Sequence, residues 1–399
     1  MLEYLMLTLA GCLLGVFTGL VPGVHVNTVC LLGLTLYPRL GLNGVEFGVV
    51  MIAMSVTHTF LDFIPAIFIG VPEEETALSV LPTHQLVLKG KALEAVKLTG
   101  YGSLLGLVFS VLMVPPALML LPRVYEKTRG FIVYIIGFAA LMLILREKKK
   151  AIHAAIVFIV SGYLGYTILH LKSISPTHVL FPVFAGLFGL SNIIYSIKTK
   201  PRYIPQEEYA VMKVDREFMS SGLLGSLGGM LVGVLPAMSP SQVGIIMSEV
   251  FGGSLHTFLV SVSAINTADA IFSLVSLYTI QNPRSGVTVM MDKLIEVDLN
   301  SFILFVGVIC LTAPIALHLH IQLGRKAMHL VGSVDYRMMS KTVILVVLAL
   351  IYLLTGWFGV LISIVSTTIG LLPILAGVSR THLMGVLLVP TIMFFSGYP

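Results

Sequence analysis

Two apolar segments, each broken by glycine and proline and each followed by a series of membrane-length stretches, constrain this chain more than any other feature. Residues 15–28 read GVFTGLVPGVHVNT, and residues 228–242 read GGMLVGVLPAMSPSQ. Proline removes a backbone donor and clashes with the preceding turn, while glycine permits unusual dihedrals, so neither segment can run on as one regular helix. Inside a bilayer a broken helix survives only where protein or a watery cavity satisfies its freed backbone groups. A matched pair of such breaks, one in each half of a chain, is the sequence pointer to a secondary carrier and to its binding site.

Composition demands a membrane. Apolar residues make up 57% and charged residues 11% of the 399, with a mean hydropathy of +0.99, whereas about a quarter of a soluble domain is charged. Runs at 102–121, 131–145 and 342–354 must face lipid or other membrane helices. The N-terminal stretch lacks a basic region and stays apolar toward Tyr37, so it is expected to belong to the membrane domain and not to a cleaved leader. Cys12, Cys30 and Cys310 sit in apolar segments without metal-ligand spacing. The formal charge of +5 comes from basic residues between spans and implies no nucleic-acid partner. No GxxxxGK[ST], HExxH or GxSxG motif occurs, so no ATPase, zinc or serine-nucleophile chemistry, and no enzyme, is expected.

The chain divides into an interrupted pair at 3–20 and 24–37, then spans near 45–69, 98–121, 131–145, 152–169 and 177–195. A polar linker, KTKPRYIPQEEYAVMKVDRE, covers 198–217. The second half repeats the order, with a pair at 219–235 and 240–250 and spans near 255–280, 299–317, 342–354, 359–376 and 381–395. Read as hairpins that return to their own side, the pairs place 17 of the 24 Lys and Arg residues on one face, which is then cytoplasmic. The expected fold class is an all-α, multi-pass cell-membrane protein with two inverted-topology repeats and re-entrant or broken hairpins: 1–197, a cytoplasmic linker 198–217, and 218–399. Weak echoes run in the same order, His58-Thr59-Phe60-Leu61-Asp62 with Asn266-Thr267-Ala268-Asp269, and Thr177-His178 with Thr381-His382.

The breaks themselves are the candidate substrate site. Free N–H groups and the positive end of a helix starting near Val24 suit an anion, which nominates Pro22, Gly23, His25, Asn27 and Thr28. Pro236, Ser239, Ser241 and Gln242 are their counterparts, with Ser239 as N-cap and Pro240 at the first helical position. The plainer alternative is a set of kinks and caps in a packed bundle. Asp62 and Asp269 lie deep in apolar spans, where a carboxylate must pair, face a cavity or bind an ion. His58 is one turn before Asp62 and shares its face. Together with Asn266 and Thr267, these residues are candidates for coupling to Na⁺ or H⁺; a hydrogen bond joining the halves is the alternative. Glu73 and Thr76 are candidates to line an inner vestibule.

Beyond the residue-level reading, the chain resembles the large membrane subunit of the tripartite tricarboxylate transporters, the TctA family. The resemblance rests on GVFTGLVPGVHVNTVCLLGLTLYP at 15–38, FIGVPEEETALSVLPTHQLVLKGKALEAVKLTGYGSLLG at 68–106, GVLPAMSPS at 233–241 and RTHLMGVLLVPTIMFF at 380–395. Gly70-Val71-Pro72-Glu73 stands where the family has Asn-Ile-Pro-Gly, and Ala237 and Ser239 replace glycines. The resemblance implies a gradient-coupled carboxylate carrier, no cofactor beyond the coupling ion, and as partners a small membrane subunit and an extracytoplasmic binding protein. A short member working without the binding protein stays open, as does a homodimer. A weaker likeness to polyprenyl-phosphate carriers, which combine Pro-Gly-interrupted hairpins with inverted repeats, leaves translocation of an anionic lipid as the alternative function.

Overall fold

The computed structural model describes residues 2–22, 24, 26–70, 76–77, 79–170, 176–199, 205–234, 240–251, 254–333 and 336–397. Among them there are helices and no strand. The first half contains α1 (Leu2–Leu20), α2 (Val26–Leu40), α3 (Gly44–Leu61), α4 (Phe63–Phe68), α5 (Val80–Leu88), α6 (Ala92–Thr128), α7 (Ile132–Arg146), α8 (Ala151–Leu169), α9 (Pro176–Phe184) and α10 (Ser191–Thr199). The second contains α11 (Arg216–Val234), α12 (Pro240–Phe251), α13 (Leu255–Ile280), α14 (Gly286–Leu294), α15 (Leu299–Ser333), α16 (Tyr336–Ala376) and α17 (Gly385–Phe395). Seven stretches among the described residues are long and apolar enough to cross a membrane. The protein is a multi-pass integral membrane protein.

Local sequence explains several starts. Asn43 and Glu46 form a reciprocal capping box at α3, Ser254 accepts from the Thr257 N–H at α13, and Ser285 pairs with Thr288 at α14. Inside α16, Gly356 takes φ 67°, in the left-handed region that favours glycine. A Cβ on Gly359 would touch Thr355 and Ile351, and α16 is two helices that meet at a kink at Gly356.

Two helices form the centre. Of the apolar spans, Gly44–Phe68 is 94% buried and Leu255–Ile280 78%, against 17–39% for the other five. Glycines allow this. In α1, a Cβ on Gly11 would lie 2.7 Å from Ala53 Cβ, one on Gly15 2.5 Å from Thr57 Cβ, and one on Gly19 2.7 Å from Leu61 Cβ. In α11, Gly225, Gly229 and Gly233 meet Ala264, Ala268 and Phe272 in the same way. Both numbers of each pair rise together, so α1 runs parallel to α3 and α11 parallel to α13. Backbones this close gain dispersion contacts where apolar lipid supplies no hydrophobic drive.

The correspondence is positional. Leu2 and Arg216, Leu20 and Val234, and Val26 and Pro240 bound matching helices 214 positions apart. The glycine partners Ala53 and Ala264, Thr57 and Ala268, and Leu61 and Phe272 are 211 positions apart. Only three residues link α2 to α3 and α12 to α13, so the second helix of each broken pair runs back. Cys30 against Met51 and Tyr37 against Phe47 bear out the antiparallel α2–α3 contact.

The stretch 45–69 is one span, as expected, with a single irregular residue, Asp62, which keeps helical φ/ψ and its N–H bond to the His58 carbonyl between α3 and α4. Other spans differ from the sequence expectation. α6 extends well beyond 98–121, through Pro115, Pro116 and Pro122, because prolines with φ near −65° bend a long helix without ending it. The short helices α5 and α14 fall where only loops were expected, and a π-helical turn at 185–190 interrupts the span from α9 to α10.

Candidate functional site

The α3–α13 crossing brings together most of the proposed coupling residues. Asn266 Nδ2 donates to Asp62 Oδ2 at 2.9 Å and to the Thr59 carbonyl at 3.4 Å. The hydroxyls of Thr59 and Thr267 lie 3.4 Å apart. Asp62, Asn266 and Thr267 are all buried. Along the same contact, a cavity of about 20 Å³ is lined by Ser55, Val56, Ala270, Leu274 and Thr288. It has room for about one water. Asp62 and Thr59 thus oppose 266–267, while Ser55 opposes Ala270 and Leu274; one number rises as the other falls, so α3 and α13 are antiparallel.

His58 points toward α1, the first helix of its own broken pair, and the backbone of Asp269 packs against α11, the first helix of the other. His58 Nδ1 lies 3.2 Å from Thr18 Oγ1 on α1. The Thr18 hydroxyl donates to the Gly15 carbonyl at 3.3 Å, leaving its oxygen to accept from the imidazole. Gly229 on α11 packs against the Asp269 backbone, and Ser273 Oγ donates to Asp269 Oδ1 at 3.2 Å. The register of 211 therefore matches His58 with Asp269 and Asp62 with Ser273. The echo read from the sequence set Asp62 beside Asp269 instead, which differs from the glycine-contact register by four residues at the aspartates and three at Thr59 and Thr267.

The breaks lie close to this level. Gly19 packs at Leu61 and Gly233 at Phe272, while Asp62 faces Asn266, so the ends of α1 and α11 are offset by six residues along α13, about 9 Å of helical rise. Pro22 is half-buried just after α1, and Asn27 and Thr28 lie in the first turn of α2. Pro240 begins α12, with Ser241 buried and Gln242 in the same turn. Gly23, His25, Glu73, Pro236 and Ser239 lie outside the described residues. Thr76 is fully buried, and its carbonyl accepts from Ser79 Oγ at 2.7 Å. No group of three or more His, Cys, Asp or Glu residues arranged for a metal occurs among the described residues.

Thr18, Thr59 and Ser273 were missed in the sequence. Each is a small hydroxyl residue in an apolar span, and only its partner distinguishes it from an ordinary helix-backbone donor.

The sequence model of the tripartite tricarboxylate transporter TctA family matches residues 5–385. The chain belongs to the TctA family. Members of this family are membrane transporters and not enzymes, and they are generally part of multi-subunit tripartite systems. An uncharacterized protein of Methanocaldococcus jannaschii is similar to this TctA-family chain, 31% identical over 99% of each chain. No solved structure matches it.

Proposed function

We propose that this TctA-family chain is a secondary transporter that couples uptake of an organic anion, a di- or tricarboxylate, to Na⁺ or H⁺. The observation that carries the reading is the antiparallel crossing of α3 and α13. Each packs in parallel, through glycines at matched spacing, on the first helix of a broken pair. Matching elements that run in opposite directions support two inverted-topology halves, 1–197 and 218–399, joined by the linker 198–217. The breaks then approach from opposite sides, and the first turns of α2 and α12 offer free N–H groups to a carboxylate.

Coupling is assigned to the crossing. Asp62, Asn266, Thr59 and Thr267 present oxygens from both halves, as Na⁺ requires. His58 and Asp269 are titratable groups at matched positions, as a proton route requires. The family's organisation supports a small membrane subunit and an extracytoplasmic binding protein as partners.

Reconstitution in liposomes tests the reading, comparing citrate and succinate with a polyprenyl phosphate under imposed Na⁺ and pH gradients. Accumulation of a carboxylate that collapses with one gradient is expected. Movement of the polyprenyl phosphate without carboxylate uptake would overturn the carboxylate assignment in favour of lipid translocation.

A further inference from the structure

Arg380 opens a 3-10 turn, Arg380–Met384, between α16 and α17, and its side chain turns inward to 8% exposure. Nη2 donates to the carbonyls of Leu187 and Phe188 at 2.9 and 3.0 Å and to Ser191 Oγ at 2.7 Å. The guanidinium stands 5.7 Å from the centre of the Phe188 ring. Nε is buried and makes no hydrogen bond. Every partner is neutral: among the described residues no carboxylate pairs with Arg380.

The surface it meets is unusual. Leu187 and Phe188 belong to the π-helical turn 185–190, and such turns displace carbonyls from the regular ladder and recur at functional sites. The second part of α16 closes on the same turn. A Cβ on Gly186 would lie 2.5 Å from Ser366 Cβ, and one on Gly370 2.8 Å from Ser191 Oγ. Ser366 Oγ is buried and has no hydrogen-bond partner. Capping two carbonyls requires donors and no charge, and a neutral amide side chain supplies those. A buried cation without a counter-charge is costly wherever it sits, and that cost is offset where an anion binds.

We propose that Arg380, with Ser366 and Ser191, forms a binding station for a carboxylate group of the transported organic acid. In the substrate-free protein the π-turn carbonyls hold the guanidinium; the incoming carboxylate takes over Nε and the Ser366 hydroxyl. The assignment rests on the reading of the chain as an organic-anion carrier, and it adds a site remote in sequence from both broken segments.

Equilibrium binding of radiolabelled citrate to the purified full-length protein tests it, with melting temperature recorded in parallel and succinate and inorganic phosphate as further probes. Arg380→Gln keeps neutral donors for the carbonyls and is expected to weaken citrate binding by about tenfold or more, the loss of a charge-assisted contact. Ser366→Ala removes a hydroxyl that stabilises nothing in the free protein and is expected to weaken binding by about threefold with an unchanged melting temperature. Unchanged citrate affinity in Ser366→Ala, or in folded Arg380→Gln, would reduce Arg380 to a staple of the π-turn and overturn the proposal. So would a wild type that binds none of the three anions. Citrate binding without gradient-driven uptake would instead remove the carrier reading and leave the site standing. Intact uptake with unchanged affinity in both variants would do the reverse.

Discussion

Asp62 and Asn266 are 204 positions apart in sequence and share a 2.9 Å hydrogen bond at the centre of the protein, where α3 and α13 cross. Both are buried, so the bond ties the halves together and gives the carboxylate a donor from the other half. Hydrogen bonds to charged groups contribute about 1.5–3 kcal/mol. Asn266→Leu is therefore expected to destabilise the protein by about 2 kcal/mol, read as a lower melting temperature in detergent, whereas Asp62→Asn should melt closer to the wild type. Equal melting of wild type and Asn266→Leu would deny the bond a structural role.

Asp62 is also expected to act in transport. Asp62→Asn is expected to weaken gradient-driven uptake in liposomes, because a carboxylate buried between two membrane helices is retained for a role. Uptake equal to that of the wild type would leave Asp62 to the inter-helix bond alone.

The glycine seams should respond as matched pairs. Gly15→Leu and Gly229→Leu each insert a side chain where even a Cβ collides with the facing helix, and overpacking of this kind costs about 1–3 kcal/mol or more. Both variants should lose folded yield to a similar degree, while Gly137→Ala and Gly307→Ala, whose Cβ positions are open, should not. Loss at only one of the two seams would break the equivalence of α1–α3 and α11–α13.

Orientation follows from charge and from the turns that meet. Lys150 Nζ donates to the Ala376 and Gly377 carbonyls at 3.1 and 2.8 Å, and Glu147 Oε1 accepts from the Ser379 N–H at 2.7 Å, which puts the 146–150 and 377–380 turns on one face. That face is expected to be cytoplasmic. Membrane-impermeant labelling of single cysteines placed at Lys149, Thr128 and Ser285 checks it: Thr128 and Ser285 should label from outside and Lys149 should not. Labelling of Lys149 with protection of Thr128 would reverse the orientation, and opposite sides for Thr128 and Ser285 would break the inverted arrangement.

Glu147 also sets a pH dependence. Burial raises its pKa, but the bonds from the Ser379 N–H and His382 act harder, and the net position is below the ordinary carboxylate value. A native pKa below the unfolded one gives stability that is fully present above the unfolded value and is lost as pH falls through the native value. The melting difference between wild type and Glu147→Gln should therefore be constant above about pH 5 and shrink on acidification. A difference that grows as pH falls would contradict the assignment.

Much of the architecture was legible because its cause is local. Pro22, Pro236 and Pro240 announce breaks through their own geometry, and the helix starts at Val26 and Pro240 follow from them. Asp62 and Asp269 stand out because a carboxylate in an apolar span needs a reason. Asn266 and Thr267 were placed near the site, but not their partners, since the pairing with Asp62 and Thr59 depends on how two distant helices cross. The match of His58 with Asp269 was hidden for the same reason: the register is set by Gly15 and Gly229 against α3 and α13, while the sequence similarity around Asp62 suggested another. Arg380 resembled a cytoplasmic-loop charge and gave no sign that its side chain turns inward to a π-turn about 190 residues earlier.

Coupling at the α3–α13 crossing is tested most directly by gradient-driven citrate uptake in matched liposomes containing wild type or Asp269→Asn. Asp269 is embedded in α13 beside Gly229, near the second break, whereas Glu74 lies in the polar segment after α4 and serves as the control through Glu74→Gln. Wild type and Glu74→Gln should accumulate citrate above its equilibrium level under a Na⁺ or proton gradient, while Asp269→Asn should fail to do so in either. Equal accumulation by wild type and Asp269→Asn would contradict the account.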